Sequence, residues 1–149
     1  MATRDELYAR VGRGLEVCQL FEKEIGTALL AMDALITRSH LQPDPDKYLR
    51  LRSAIEKQTL GGSLKQMRER LKLQDDLESV LKEALAARND LAHGFFSHHG
   101  LKIMDSGGRE EMLVYLNGLI ATLERGYALA GIVASALVRA VQSEVMGAV

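Results

Sequence analysis

The chain has 149 residues, 47% hydrophobic and 26% charged, with two prolines, no tryptophan and a single cysteine. That is about one domain's worth of an ordinary folded chain, and it excludes wholesale disorder. A net charge of −1 excludes coating nucleic acid through bulk positive charge but leaves room for a small basic cleft, while the lone Cys18 excludes an intramolecular disulfide and a cysteine-built metal framework.

The first residues, Met1-Ala2-Thr3-Arg4-Asp5-Glu6, lack the apolar stretch of a signal peptide, so a cytoplasmic protein without a membrane partner is expected. Thr3 followed by Glu6 reads as a capping box. From Leu7 to Ile36 apolar residues then recur at steps of three and four, which predicts one long helix ending near Ser39. Gly12, Gly14 and Gly26 interrupt it, at about 1 kcal/mol each against alanine, and mark places where another helix backbone can come close. His40 to Asp46 is loop chemistry with two prolines. A shorter helix is predicted from about Lys47 to Gln58, with Tyr48, Leu51 and Ile55 on one side and Thr59-Leu60-Gly61-Gly62 as its break. Ser63 with Gln66 caps a further segment carrying Leu64, Met67 and Leu71, and Asp75 with Glu78 opens a helix running to about His93, with Gly94 as its stop. Phe95 to Gly108 reads as an irregular surface excursion with a short extended piece at Leu101-Lys102-Ile103-Met104. The chain is helical again from about Arg109 to Ser143. The second half of that helix is small and apolar almost all round, as befits a central bundle helix or one buried in a dimer. Its apolar run, Tyr127 to Val138, is shorter than the roughly 20 residues a bilayer span needs. The expectation is an all-α, single-domain helical bundle over residues 1–149, with a four-helix, up-and-down-like core and extra short helices.

The chemistry concentrates in Leu85-Ala86-Ala87-Arg88-Asn89-Asp90-Leu91-Ala92-His93-Gly94. On a helix, Leu77, Leu81, Ala84, Arg88 and Leu91 share one side, so a permanent cation sits in an apolar stripe and needs a partner or a wet cleft. Asn89 and His93 are four apart and so are surface neighbours. His93 at a helix C-terminus would be favoured as the imidazolium. Asp90 points elsewhere on the wheel. A guanidinium to hold phosphate, an amide to orient and an imidazole to move a proton suit phosphodiester chemistry without a metal. The bland alternative is an arginine ion-paired at the surface and a histidine acting as a helix cap.

Arg88-Asn89-Asp90-Leu91-Ala92-His93 resembles the Arg-x-x-x-x-His signature of HEPN domains (higher eukaryotes and prokaryotes nucleotide-binding), in which a polar residue, commonly asparagine, follows the arginine. The expected order of a long first helix, irregular helical segments, a motif helix and a long last helix is similar as well. The resemblance implies a homodimer whose motif helices face each other, so that two copies of Arg88, Asn89 and His93 line one cleft. It implies a metal-independent endoribonuclease with no cofactor, of the kind found in toxin–antitoxin and phage-defence systems, with RNA as substrate and a cognate antitoxin or other protein as a further partner. Arg88 would stabilise the phosphorane and His93 would handle the proton, leaving a cyclic phosphate. Other members are non-catalytic dimers that bind a protein partner or a nucleotide. One toxin branch carries a modifiable tyrosine two residues after the histidine; Phe95 stands there, without a hydroxyl.

Other signals weigh less. His93, His98 and His99 have the wrong spacing for ligands on one helical face, with no carboxylate or cysteine to complete a set, so no metal site is expected. Gly61-Gly62 and Gly107-Gly108 lack the phosphate-loop pattern. Arg68, Arg70 and Lys72, with Arg50 and Arg52, read as a solvated basic face able to guide RNA. Cys18 reads as a small core residue, and Phe95-Phe96 as packing.

Overall fold

The computed structural model describes residues 1–147, which form six α-helices joined by short helical turns, with no strand among the described residues. Helix α1 spans Arg4–Thr37 and opens on the capping box expected of Thr3 and Glu6: the Glu6 amide donates to Thr3 Oγ1 at 3.1 Å and the Thr3 amide to the Glu6 carboxylate at 2.7 Å. It ends where Arg38 turns left-handed at φ 56°. Helix α2 spans Pro45–Lys57 and begins inside the segment read as loop. Asp44 caps it by accepting from the Lys47 amide, and Pro45 fills the first helical position, where no N–H is needed. Helix α3 spans Leu60–Arg70. Its cap is Thr59, which accepts from the Gly62 amide, so Gly61 and Gly62 lie within the helix, and Ser63 is a buried helical residue, not a cap. Helix α4 spans Asp75–Asn89. Its N-cap is Gln74, and Asp75 stands one residue inside, adding negative charge to the first turn without making the expected capping box.

Gly94 does not stop the chain's helical course. A π-turn over Asp90–Gly94 leads into α5, Phe95–His99, and then a 3₁₀ turn over Gly100–Met104 where an extended piece was expected. Helix α6 spans Ser106–Gly147 and starts three residues earlier than expected, with Asp105 accepting from the Gly108 amide at 2.7 Å.

Cross-contacts fix the directions. Arg10 bonds Asn117, Gly14 lies against Ile120, Phe21 against Gly126, and His40 bonds Glu144, so α1 and α6 run parallel. Gly26 faces Ile55, with Leu30 and Tyr48 lining the same cleft, so α2 runs back along α1. Arg68 pairs with Glu78 and Gly61 meets Leu85, so α3 and α4 are antiparallel. The major helices thus alternate up and down, and α4 descends between α1 and α6. Leu7, Phe21 and Ile25 of α1, Leu81 of α4 and Leu116 and Leu123 of α6 are fully enclosed at the centre. Each such side chain contributes about 1.5–3 kcal/mol on burial.

The second half of α6 is not central in the bundle. Ala130 and Ala134 face the core, but Ile132 is 67% exposed. Among the described residues α6 also contains an 18-residue window of mean hydropathy 1.4, so by length and composition alone this helix could cross a membrane. The shorter uninterrupted run did not reveal this, because such a window tolerates an isolated charge.

Candidate functional site

The motif segment straddles the junction between α4 and the π-turn. The turn closes with the Phe95 amide donating to the Asp90 carbonyl, five residues back. Gly94 permits it: a Cβ there would stand 2.8 Å from Asp90 Oδ1 and 3.2 Å from the His98 ring. On a regular α-helix, residues five apart diverge by about 140°. The π-turn starts two residues after Arg88 and widens the turn that carries His93, which shares no hydrogen bond with Arg88 among the described residues. Because α5 continues the helical course, His93 does not stand at a helix C-terminus as expected.

Arg88 has a partner. Its Nε donates to Glu22 Oε1 at 2.8 Å, and Nη1 donates to Asn89 Oδ1 at 3.1 Å. The guanidinium is held between α4 and α1 with 26% of its side chain exposed. Three of its five N–H donors have no protein partner among the described residues. Glu22 was not anticipated. The signal for it lay in α1, where Glu22 flanks the buried stripe of Cys18, Phe21 and Ile25, as Arg88 flanks that of α4. The Cys18 thiol below this pair is pushed up to about 11, chiefly by burial and further by the Glu22 charge, with Arg88 opposing. It stays protonated at neutral pH and is no nucleophile.

His93 is exposed, and its ring makes no hydrogen bond among the described residues. Asn89, the neighbour expected for His93, turns its amide oxygen to Arg88. Asp90 does turn elsewhere: it accepts from the Tyr115 hydroxyl of α6, and its other oxygen lies 4.0 Å from His98 Nδ1. This bond, with some burial and the Asp90 charge, holds the Tyr115 hydroxyl above its usual range. His99 packs on the Tyr115 ring at 4.6 Å, and Phe95 is fully buried beside it. No group of three or more His, Cys, Asp or Glu among the described residues is arranged to hold a metal.

A cleft of about 450 Å³ opens next to the Arg88–Glu22 pair, between α1 and α2, with Glu22, Lys23, Tyr48 and Arg52 on its walls. The basic face is partly spent on ion pairs, since Arg68 bonds Glu78 at 2.8 Å and Arg52 bonds Glu56 at 3.0 Å. The segment therefore presents an oriented guanidinium, an amide bonded to it and a free imidazole on one exposed stretch. Protein-family models, curated proteins and solved structures were each compared with this chain, and none matches.

Proposed function

We propose that the chain is a HEPN-like, metal-independent endoribonuclease of the cytoplasm that acts as a homodimer, in a toxin–antitoxin or phage-defence setting. The reading rests on Arg88: its guanidinium is oriented by Glu22 and Asn89 yet keeps three donors free, one π-turn from an unencumbered His93. A partly exposed ion pair contributes only about 0–1 kcal/mol, so an RNA phosphate can compete with Glu22 for the guanidinium. The ribose 2′-hydroxyl gives its proton to one His93 and attacks phosphorus. Arg88 stabilises the charge on the phosphorane oxygens. The 5′-oxygen leaves with a proton from the partner's His93, and the product is a 2′,3′-cyclic phosphate. Two copies facing each other supply both proton positions, and one chain alone supplies a single imidazole at the motif.

The test is cleavage of a mixed RNA pool in EDTA by the wild type, Arg88→Ala and His93→Ala, each checked for helicity and mass. Cleavage by the wild type that both folded variants lose by at least about 100-fold is expected, the scale of a general acid–base group. Cleavage that the variants retain would overturn the assignment. The Arg88–Glu22 pair also favours a second reading, a non-catalytic dimer that binds a protein partner or a nucleotide. That reading predicts no cleavage, with ligand binding unaffected by His93→Ala.

A further inference from the structure

Helix α6 turns one face to α1 and α4 and the opposite face to solvent. On the outer face Val114, Gly118, Ala121, Ala128 and Ile132 are all exposed, Val114 at 74% and Ile132 at 67%. With Arg125 between Ala121 and Ala128, and Ser135 and Arg139 beyond Ile132, the outward positions advance strictly by fours and threes. That is the spacing of a two-helix seam, about 38 Å long from Val114 to Arg139 at 1.5 Å per residue. No other element among the described residues covers it.

We infer that this face packs against the α6 face of a second copy of this chain, antiparallel, in a register that sets Ile132 on the partner's Val114, Ala128 on the partner's Gly118 and Arg125 on the partner's Ala121. The charges choose this arrangement. Long helical side chains lean toward their own N-terminus. In an antiparallel pair this carries Arg139 toward the partner's exposed Glu110 and Glu111, of which Glu111 also bonds Lys102 within its own chain, while Glu124, beside Arg125, lies 3.8 Å from Arg13 of its own chain. A parallel two-fold pair would set Arg125 on the partner's Arg125 and Arg139 on the partner's Arg139. An antiparallel pair centred on Ile132 would set Arg125 on the partner's Arg139. The first alternative stacks each arginine on its own copy and the second stacks Arg125 on Arg139 twice, whereas the chosen register offsets the two Arg125 by four positions, about 6 Å along the axis, and brings each Arg139 to an acid, so it is the least repulsive of the three. The sizes agree as well: the two large exposed side chains cover each other, and the small residues between them let the helix axes approach to about 8 Å. A bilayer is a poorer occupant, because α1 lies along the inner face of α6 and would carry exposed Arg13, Glu16 and Lys23 into the lipid.

The register makes a sharp test. Val114→Cys and Ile132→Cys proteins are oxidised with copper–phenanthroline, each alone and as a mixture; the native Cys18 is buried and does not compete. The expected result is a disulfide-linked dimer in the mixture and little in either protein alone. Arg139→Glu should lower that yield several-fold, and adding Glu110→Arg with Glu111→Arg should restore it. Equal linking of either variant with itself, or no linking in a mixture whose helicity is intact, overturns the proposal. Flotation with phosphatidylglycerol vesicles in place of mixed linking also overturns it, in favour of lipid. The motif takes no part in this face, so Arg88→Ala and His93→Ala should leave the yield unchanged, and failure here leaves the ribonuclease reading untouched.

Discussion

Glu22 gives Arg88 its direction, and this settles how variants at either position should behave. The pair is partly exposed, so Arg88→Ala or Glu22→Gln should change unfolding free energy by no more than about 1 kcal/mol. If the chain cleaves RNA as proposed, two substitutions of Glu22 should affect cleavage more strongly than stability, and in opposite ways. Glu22→Gln keeps an oxygen for Arg88 Nε but removes the competing charge, so KM for RNA should fall. Glu22→Ala frees the guanidinium, so kcat should fall. Urea unfolding beside steady-state kinetics on the same preparations separates the two. Asp90 plays a different part, because it is committed to Tyr115. The Tyr115 hydroxyl is held above its unfolded value of about 10. The bond's contribution to stability is therefore full below about pH 10 and is lost as pH rises through the folded value. An absorbance titration at 295 nm, taken as wild type minus Tyr115→Phe, should show this hydroxyl ionising late. Asp90→Asn should bring that step down and flatten the alkaline fall in stability; an unchanged step would refute the role of the carboxylate.

Packing between elements is tightest where glycines stand. A Cβ on Gly126 would run into the Cβ of Ala84, so α4 and α6 meet there backbone to backbone. Gly126→Ala gains about 1 kcal/mol of helix propensity but forces the helices apart, at about 1–3 kcal/mol. The net effect should be a loss of stability, read as a lower urea midpoint at unchanged slope; a rise would mean the helices separate freely at this point. The same glycines mark where sequence reading reached its limit. Apolar spacing predicted the two long helices, and the Thr3–Glu6 box located the start of the first. Local rules, however, treat a glycine as punctuation. Gly61, Gly62, Gly94, Gly107 and Gly108 all lie within helical structure. Gly94 is there because Asp90 and His98 occupy the space of its side chain, and Gly108 because the Lys102 carbonyl does. Both contacts are products of the turn that follows α4, which no spacing rule foresaw. The candidate site divides in the same way. Arg88, Asn89 and His93 are legible within six residues of sequence, whereas Glu22 and Tyr115 lie 66 and 25 positions away from their partners and become visible only when α1 and α6 flank α4.

The molecule as a whole is built on two long parallel helices, α1 and α6, and one end of that pair is fastened by a histidine. At the far end His40 clasps α1 to α6: Nδ1 meets the Ala34 carbonyl at 2.9 Å and Nε2 the Glu144 carboxylate at 2.7 Å, with the ring nearly buried. Both partners are acceptors, so the ring bonds both at once only when it donates from both nitrogens. The motif lies well down the bundle, where α4 descends past Gly14 and Glu22. Glu22 and His40 are 18 positions apart, and helix α1 covers most of that separation at 1.5 Å per residue. The outer face of α6 is separate again, turned away from both α1 and α4. If the motif faces and the α6 faces each join copies two-fold, the assembly is a dimer of dimers or an open chain, so the two contacts should be separable by mutation. Damage to the clasp should likewise stay local. His40→Ala leaves the Glu144 carboxylate and the Ala34 carbonyl unpaired, at about 1–3 kcal/mol, and should loosen the upper ends of α1 and α6. Amide hydrogen exchange should speed up there and stay slow around Leu81, Leu116 and Phe21, with RNA cleavage within about twofold of wild type. Loss of cleavage in a folded His40→Ala protein would mean that the two ends are coupled, and the site would then have to be sought across the length of the bundle.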